Sequence, residues 1–267
     1  MLDIETKISD FELKTTMRFE KTPLLEITEG LERVCIFSRG NISCSTGQAK
    51  SRKTFGLTML TSSMLQYGKT YDKFFCPIDN LKVVYIFTEE SKPDAINAGK
   101  RIQKIKGIDT QPINFRFFWL RKLGPAQRVE LMKQIIEEIK PDFVAIDGIR
   151  DMVTDINNAD QATEITSLLL KITDEMNNHI HCVIHQNPGV EKMRGHLGTE
   201  LMNKSETILS ISKDVDNKNV SIIKPQEIRG KEFSEFCFEV YENIPILSDY
   251  KPIEKKQRKR KEEDVPF

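Results

Sequence analysis

The sequence contains no apolar stretch that approaches the roughly 20 residues needed to cross a bilayer. Its first ten residues, MLDIETKISD, also lack the basic and apolar parts of a secretion signal. These absences favour a cytoplasmic protein over a membrane or secreted one. With 39% hydrophobic and 30% charged residues, the chain has an ordinary globular composition, which excludes the fibrous and disordered classes.

Cysteine is scarce and irregularly placed. The chain has five cysteines, an odd number, and no two of them are in CxxC spacing. This excludes a disulfide framework and the usual zinc patterns, and it predicts that the cysteines are small core residues. His179 and His181 lie two positions apart, but no third ligand is nearby in sequence. We therefore favour a polar strand edge over a metal site.

The chain has no net charge, because 40 Lys and Arg residues balance 40 Asp and Glu residues. Basic residues are nevertheless concentrated near the end, where KKQRKRK (255–261) has six of them in seven positions. Such a segment cannot bury apolar surface. We predict one domain over residues 1–250 and a tail over 251–267. The tail is either disordered or a non-specific phosphate contact, and in a eukaryote it would also fit a nuclear signal.

Short apolar segments alternate with segments of helical periodicity along most of the chain. Alternation of this kind predicts an α/β fold with a mostly parallel, twisted sheet and helices on both faces. Beyond residue 205, ETILSIS, NVSIIK and EFCFEVY are separated by short polar turns, which predicts antiparallel strands at the C-terminal edge of the sheet. The predicted parallel strands are NISCST (41–46), KVVYIF (82–87), INFRFFWL (113–120), DFVAID (142–147) and IHCVIHQ (180–186).

One loop between a predicted strand and a predicted helix has the chemistry of a phosphate site. GQAKSRKT (47–54) fits the P-loop pattern GxxxxGK[ST], except that Arg52 replaces the second glycine. In such a loop the backbone N–H groups and the start of the next helix face an anion. Lys53 would reach the terminal phosphates, and Thr54 would ligate Mg²⁺. The alternative is a basic surface turn. The expected nucleotide contacts are Gly47, Gln48, Ala49, Lys50, Ser51, Arg52, Lys53, Thr54 and Phe55.

The substitution at position 52 has two opposite effects. Losing the glycine reduces backbone freedom, whereas Arg52 brings a cation directed at or near the phosphates, and Lys50 brings another. We expect nucleotide binding to survive the substitution. We expect the substitution to affect the rate of hydrolysis more than nucleotide binding, because an extra fixed cation could hold the product as readily as it stabilises the transition state.

Two acidic residues follow later apolar strands, in the order that a nucleotide site requires. Asp147 ends DFVAID, where a carboxylate at the carboxyl end of a parallel strand can hold the water shell of Mg²⁺. Glu89 follows KVVYIF after Thr88 and could position or activate the attacking water. The alternative for Glu89 and Glu90 is a charge at a helix N-terminus. The loop and both carboxylates together favour the nucleotide site.

Together these motifs resemble the core of the RecA-type ATPases over about residues 30–240. Gly40, the strand 41–46 and the loop are similar to that family's first strand and phosphate loop. VYIFTEES resembles the strand that delivers the catalytic glutamate, and DFVAIDGIRDMV resembles the Walker B strand. The resemblance is closest to the single-domain RepA-like branch, which comprises hexameric helicases and related ATPases of plasmids and mobile elements. It implies ATP and Mg²⁺ as cofactors, with Lys53 and Glu89 catalytic and Thr54 and Asp147 at the metal.

The resemblance also gives roles to two later segments. In the family, the polar end of the strand matching IHCVIHQN senses the γ-phosphate, which implies that His185, Gln186 or Asn187 does so here. The family also carries a lysine and an arginine in a turn between two late strands, where they reach the γ-phosphate of a neighbouring subunit. Lys224 and Arg229 would take this catalytic role. An ordinary hairpin is the alternative.

The resemblance further implies a ring-shaped homo-oligomer, such as a hexamer, that contacts single-stranded DNA. The DNA contacts would come from segments 151–160 and 188–199, and the second segment carries Lys192, Arg194 and His196. In a ring these loops would line a central channel and follow the phosphate backbone without sequence preference. The alternative is that segment 188–199 is a flexible surface turn.

Three functions compete at this stage. The first is a DNA-stimulated ATPase, such as a helicase that serves replication or transfer of a mobile element. The second is a nucleotide-gated DNA-binding or regulatory protein with little turnover. The third is a small-molecule kinase, for which the sequence gives no sign of a substrate pocket or a lid.

Overall fold

The computed structural model describes residues 11–18 and 20–252. The basic run 255–261 lies outside the described residues, so the expectation for the tail stays a prediction. In the part of the chain that is described, no helix combines the length and the apolar character needed to span a membrane. The strands are β1 (Pro23–Glu29), β2 (Glu32–Ser38), β3 (Asn41–Gly47), β4 (Gly68–Thr70), β5 (Phe74–Cys76), β6 (Val83–Phe87), β7 (Phe115–Trp119), β8 (Phe143–Asp147), β9 (His179–His185), β10 (Thr207–Lys213), β11 (Val220–Ile228), β12 (Phe236–Tyr241) and β13 (Ile244–Ser248). The helices are α1 (Lys53–Met64), α2 (Lys92–Lys106), α3 (Pro125–Ile139), α4 (Ala159–Met176) and α5 (Gly195–Lys204), with a short 3-10 helix at Ile149–Met152.

The larger sheet is mostly parallel. Over the described residues its strand order is β13-β12-β11-β10-β3-β9-β8-β6-β7. The strands from β10 to β7 in this order pair in parallel, whereas β11, β12 and β13 pair antiparallel at the other edge. The prediction of a mostly parallel α/β sheet is therefore confirmed, and the late strands form an antiparallel edge.

Helices cover both faces of this sheet, because successive side chains of its buried strands point to opposite sides. On β6, Val83, Tyr85 and Phe87 pack into one core with α1 and α2. Val84 and Ile86 pack into a second core with α3, α4 and α5. Strands buried on both faces explain why the sequence shows continuous apolar runs instead of a polar alternation.

Helix boundaries follow the local signals in the sequence. Ser91 caps α2 by accepting a hydrogen bond from the backbone N–H of Asp94 at 3.3 Å, and Pro93 stands in the first turn. Pro125 begins α3 directly after Gly124. Both helix starts carry a proline in the first turn, which is a typical helix N-terminal signal in a sequence.

A smaller antiparallel sheet, in the order β2-β1-β5-β4, was not predicted. The hairpin of β1 and β2 turns at Gly30, which has a φ of +61°. Buried side chains of this sheet, such as Leu24, Ile27 and Phe74, belong to the same core as α1. The segments PLLEITE and FFC are short or mixed in polarity and lack the continuous apolar character of the parallel strands, so their local strand signal is weak.

Two minor expectations have different outcomes. All five cysteines are in the described part of the chain and are free, and all but the half-buried Cys35 are buried, as expected of core residues. The expectation of a polar strand edge at His179 and His181 is wrong. Strand β9 pairs with β3 on one side and β8 on the other, so both imidazoles are fully buried inside the sheet region.

Candidate functional site

The predicted nucleotide residues meet at the carboxyl ends of neighbouring parallel strands. Gly47 at the end of β3 is the register partner of His185 at the end of β9. On the other side of β9, Asp147 ends β8 beside Phe87, the last residue of β6. Crevices at this end of a parallel sheet are where ligands bind in open α/β folds. Here the crevice is a cavity of about 480 Å³ lined by Lys53, Thr54, Glu89, Asp147 and His185, among others.

The loop keeps its first glycine because there is no space for a side chain. A Cβ atom at Gly47 would lie 2.1 Å from the carbonyl oxygen of Ile211 on β10, a backbone atom that cannot move aside easily. The position of the missing second glycine has a different requirement. Arg52 has φ 70° and ψ 32°, the left-handed conformation that favours glycine. An L-residue accepts this conformation at a cost of about 1–2 kcal/mol, so the loop retains its shape with arginine.

The Arg52 side chain leans on the neighbouring antiparallel strand. Its Nη1 donates hydrogen bonds to the carbonyl oxygen of Asn219 at 2.6 Å and to Oγ of Ser221 at 3.2 Å. The guanidinium still lines the cavity but is engaged beside the loop. Lys50, with φ 63°, is a second non-glycine residue in the left-handed region. The loop is therefore a strained turn held in place by contacts from β10 and β11.

Lys53 is the first residue of α1 and is almost completely buried, with 7% of its surface exposed. Its Nζ donates to the carbonyl oxygens of Gly47 at 3.1 Å and Gln48 at 2.9 Å, which folds the ammonium back over the loop. Burial lowers the pKa of Lys53, an effect that the nearby carboxylates Asp147, Glu89 and Glu90 partly oppose. A buried ammonium held mainly by neutral carbonyls is ready to exchange them for a phosphate.

The Thr54 hydroxyl joins the loop to two carboxylates. It lies 2.9 Å from Oδ2 of Asp147 and 3.2 Å from Oε1 of Glu90. Tyr85, buried beneath the site, donates its own hydroxyl to Oδ2 of Asp147 at 2.9 Å. Thr54 and Tyr85 thus fix the Asp147 carboxylate directly beside the start of α1. Carboxylate and hydroxyl oxygens are ligands of the kind that Mg²⁺ prefers.

Burial raises the pKa of two of these carboxyl groups. It is the main cause of the raised pKa of Asp147, and the hydrogen bonds from Tyr85 and Thr54 oppose it. Burial is likewise the first cause of the raised pKa of Glu90, and the charge of Asp147 adds to it. A divalent cation between these groups would favour their charged forms, so the electrostatics of the free site favour cation binding.

Glu89 has the opposite character. Its Oε2 is 3.5 Å from Nε2 of His185, and this hydrogen bond is the main cause of the lowered pKa of Glu89. The Nδ1 of His185 is 3.2 Å from Nζ of Lys53. Because the lysine can only donate, Nδ1 accepts and the imidazole proton lies on Nε2, toward Glu89. His185 therefore contacts both Lys53 and Glu89, the residue predicted to position the attacking water.

Gly148 makes space for this arrangement. A Cβ atom there would lie 2.9 Å from Oε1 of Glu89. The glycine that follows Asp147 in DFVAIDG thus leaves space for the Glu89 side chain in its present position. Glu90, Tyr85 and Gly148 are among the residues at this site that the sequence analysis did not assign to it. The neighbouring acidic pair at 89–90 was the only signal for Glu90, and burial of Tyr85 hides its role in an apolar run.

Mg²⁺ and a triphosphate fit the donors that are present. Among the described residues no group of three or more His, Cys, Asp or Glu side chains forms a closed metal site. Mg²⁺ in nucleotide sites commonly uses one or two carboxylates, a hydroxyl and phosphate oxygens, which Asp147 and Thr54 would complete. The Ser51 hydroxyl, buried in the loop, has no hydrogen-bond partner among the described residues. An anion in the loop would supply an acceptor for it.

Three residues that were predicted to act at the site do not line this cavity, namely Gln186, Lys224 and Arg229. Gln186 is buried beside β10, where its Nε2 lies 3.5 Å from Oγ of Ser210, and among the predicted sensing residues it is His185 that lines the cavity. Lys224 was predicted to lie in a turn, but it lies inside β11. Its Nζ donates to Oε1 of Glu191 at 2.9 Å. The cause is that β11 extends to Ile228, in register with the whole length of β10.

Arg229 follows β11 directly and lies near the amino-terminal ends of the parallel strands, whereas the loop lies at their carboxyl ends. Its backbone N–H donates to Glu206, whose own N–H donates to Ile42 near the start of β3. Its guanidinium donates to the carbonyl oxygens of Asn203 and Lys204 at the end of α5. Within one chain Arg229 therefore cannot contact an anion in the loop.

Segment 188–199, one of the two segments predicted to contact DNA, lies next to the loop of residues 47–54. Lys192, Arg194 and His196 are exposed. Gln48 connects this segment to the loop. Its Nε2 donates to the carbonyl oxygen of Asn187, just before the segment, at 2.8 Å and to that of Val190, within it, at 3.4 Å. No protein-family model matches this chain, and no curated protein is significantly similar to it in sequence.

Proposed function

We propose that this protein binds ATP with Mg²⁺ at the loop of residues 47–54 and hydrolyses it, as a RecA-like ATPase that acts on single-stranded DNA. The observation that carries the proposal is the contact between Thr54 and Asp147. Residues 93 positions apart in sequence meet at 2.9 Å, directly beside the buried Lys53. A basic surface turn would leave this lysine exposed and would not need a buried carboxylate next to it.

Each side chain has a definable task in that reaction. Lys53 moves from the loop carbonyls to the terminal phosphates and offsets their charge. Thr54 and Asp147 hold the metal, which when bound neutralises charge developing on the phosphate oxygens. Glu89, kept ionised by His185, accepts a hydrogen bond from the attacking water and orients it. His185 contacts both Lys53 and Glu89, so ligand binding at the lysine would be felt at the glutamate.

The partner proposal rests on position. Lys192, Arg194 and His196 lie in a segment joined to the loop through Gln48. We place single-stranded DNA on this segment, with backbone phosphates as the contacted groups. Arg229 would complete the site of a neighbouring subunit in a ring-shaped homo-oligomer. Replication or transfer of a plasmid or mobile element is the process such an ATPase would serve.

A nucleotide-gated DNA-binding protein with little turnover is the second candidate. Two observations favour it: the guanidinium of Arg52 is bound to Asn219 and Ser221, and Arg229 is remote from the loop of its own chain. Both reduce the positive charge available to a transition state within a single subunit.

Steady-state phosphate release separates these candidates. We expect release that depends on Mg²⁺, rises severalfold with single-stranded DNA and is lost in Lys53→Ala. Lys171→Ala is the matched control, because Lys171 is an exposed lysine on α4 whose partner is Glu175. Size-exclusion chromatography with ATP tests the ring. Tight ATP binding without measurable release would favour the second candidate, and no ATP binding at all would remove both.

A further inference from the structure

The cavity continues beyond the phosphate loop into a corner built by other elements. Phe55 of α1, Asn97 and Arg101 of α2, and Asn243 in the turn between β12 and β13 line this part. None of these residues except Phe55 was identified from the sequence. Phosphates in the loop and a metal at Asp147 would leave this corner free, so it has its own ligand chemistry.

The Arg101 guanidinium is held rigidly in this corner. Its Nε donates to the carbonyl oxygen of Asn243 at 2.9 Å, and its Nη2 donates to Oδ1 of the same residue at 3.0 Å. Its central carbon lies 3.7 Å from the centre of the Phe55 ring. Two hydrogen bonds to one residue and a stacked aromatic ring fix the plane of the guanidinium.

One end of this buried cation is left without a partner. Arg101 is only 7% exposed, yet Nη1 has no hydrogen-bond partner among the described residues. Within the same part of the chain, Arg101 belongs to none of the ion pairs. A buried charged donor that is not hydrogen-bonded costs free energy, and an arginine cannot remove the cost by losing its proton. Since Arg101 lines the cavity, a ligand can supply the missing acceptor.

The neighbouring groups indicate what that ligand is. Asn97 is exposed at the cavity and offers both an amide donor and an amide acceptor. Asn243 uses Oδ1 for Arg101 and retains its amide donor. Donors and acceptors arranged around a flat guanidinium–phenyl stack suit a planar ring with polar edge atoms, which describes a nucleobase.

We infer that Arg101 recognises the base of the nucleotide, by donating from Nη1 to a ring nitrogen or carbonyl oxygen, with Asn97 at a neighbouring edge atom. The inference rests on the proposed function, because it requires the triphosphate to lie in the loop. It makes Arg101 a residue that separates nucleoside triphosphates from inorganic polyphosphates.

Calorimetric titration with ATP and with inorganic tripolyphosphate, both with Mg²⁺, tests this inference. For the unmodified protein we expect ATP to bind at least about tenfold more tightly than tripolyphosphate, the effect of one hydrogen bond to a charged donor. Arg101→Gln should reduce this ratio to about threefold or less while tripolyphosphate affinity stays the same. Asn97→Ala, an exposed change that leaves the contacts of Arg101 intact, should reduce the ratio by a smaller factor.

Arg116→Gln is the matched control, because Arg116 is a half-exposed arginine whose partner is Glu138. It should leave both affinities unchanged. A purely structural role for Arg101 would weaken the two ligands equally and overturn the inference. Equal affinities in the unmodified protein would overturn it too, even if Arg101→Gln did not fold. Failure of both ligands to bind would instead remove the proposed function.

Discussion

Strands β3 and β9 contain two groups of polar residues that differ in how completely they are paired. In the first half of β9 and the adjacent part of β3, Ser43, Ser45, His179 and His181 form an unbroken buried chain of hydrogen bonds. Oγ of Ser43 lies 2.6 Å from Nε2 of His179 and 2.7 Å from Nδ1 of His181, whose Nε2 is 2.8 Å from Oγ of Ser45. At the carboxyl ends of these strands, by contrast, His185 and the adjacent Lys53 of α1 line a cavity and make only neutral or long contacts.

In this chain of hydrogen bonds every imidazole nitrogen has a partner, and all donors point in one direction along it. Nδ1 of His179 lies 2.7 Å from the carbonyl oxygen of Ser38, which can only accept, so this nitrogen carries the proton. Ser43 must then donate to His179, His181 must donate to Ser43, and Ser45 must donate to His181. Burial lowers the pKa of His179 to about 3 and that of His181 well below its ordinary value, which keeps both rings neutral.

The difference distinguishes a polar group whose hydrogen bonds are all used within the protein from one that can still accept a ligand. Where each donor has an acceptor, burial adds rigidity and leaves nothing for a ligand. Where a lysine rests on carbonyls and two carboxyl groups have raised pKa values, binding a ligand improves the electrostatics. Variants at the two places should therefore fail in different ways, binding at one and folding at the other.

The largest effect is expected for Lys53→Ala. Without its ammonium the loop should lose ATP affinity by at least about 1,000-fold, the equivalent of about 4 kcal/mol. The free energy of unfolding should change little, since a buried cation without a close counter-ion contributes weakly to stability. Titration calorimetry and urea unfolding measure the two quantities. A large loss of stability with unchanged affinity would reverse the comparison.

His179→Ala should show the reverse pattern. It removes a ring stacked on Phe143 with centroids 5.7 Å apart and leaves Ser43 without an acceptor. We expect a loss of about 3 kcal/mol or more in the free energy of unfolding, from the cavity and the unpaired hydroxyl together. ATP affinity, measured below the unfolding transition, should remain within about twofold. A selective loss of ATP affinity would instead show that the hydrogen-bonded residues Ser43, Ser45, His179 and His181 belong to the nucleotide site.

Affinity for ATP with Mg²⁺ should decrease as the pH falls through the raised pKa values of Asp147 and Glu90. Both groups hold protons to a higher pH in the folded protein than in the unfolded chain, and the metal must displace them. The decrease should be at most about tenfold per pH unit for each proton displaced. Asp147→Asn should flatten the profile. A profile unaffected by this change would place the titrating group elsewhere.

Glu89 should act on stability in the opposite sense. Its lowered pKa means that the folded protein favours the ionised form, a contribution that is present above the unfolded pKa and lost as the pH falls through the folded one. His185→Gln removes most of this contribution, because the hydrogen bond to His185 is its main cause. We expect unfolding free energies of variant and parent to converge under acidic conditions. Denaturant unfolding over a pH series measures it.

The smallest effect is expected for Arg52→Gly. The change relieves a left-handed backbone conformation but removes hydrogen bonds to Asn219 and Ser221, so the free energy of unfolding should change by only about 1 kcal/mol. ATP affinity should stay within about threefold, since the guanidinium is engaged beside the loop. A tenfold or larger decrease would show that Arg52 contacts the phosphates.

Much of the parallel sheet and the main site could be predicted because their signals are local. Strand-ending Asp147, the spacing of Gly47 to Thr54 and the helix start at Ser91 all depend on residues close in sequence. The small sheet, the burial of His179 and the position of Lys224 could not be predicted. Each depends on which strand lies next to which, and a single sequence shows strand character far better than strand neighbours.

The sequence by itself determined that strands and helices alternate and that a phosphate-type loop precedes a helix, since periodicity and spacing encode these directly. Only the tertiary structure decided that Glu90 and Tyr85 lie at the loop and that His185, not Gln186, lines the cavity. It also decided that Arg52 hydrogen-bonds to Asn219 and Ser221 and that Arg101 has a donor with no partner among the described residues. The physical reason is that burial, pKa and hydrogen-bond pairing are set by groups far apart in the chain. These properties exist only once the parallel strands bring their carboxyl ends to one edge.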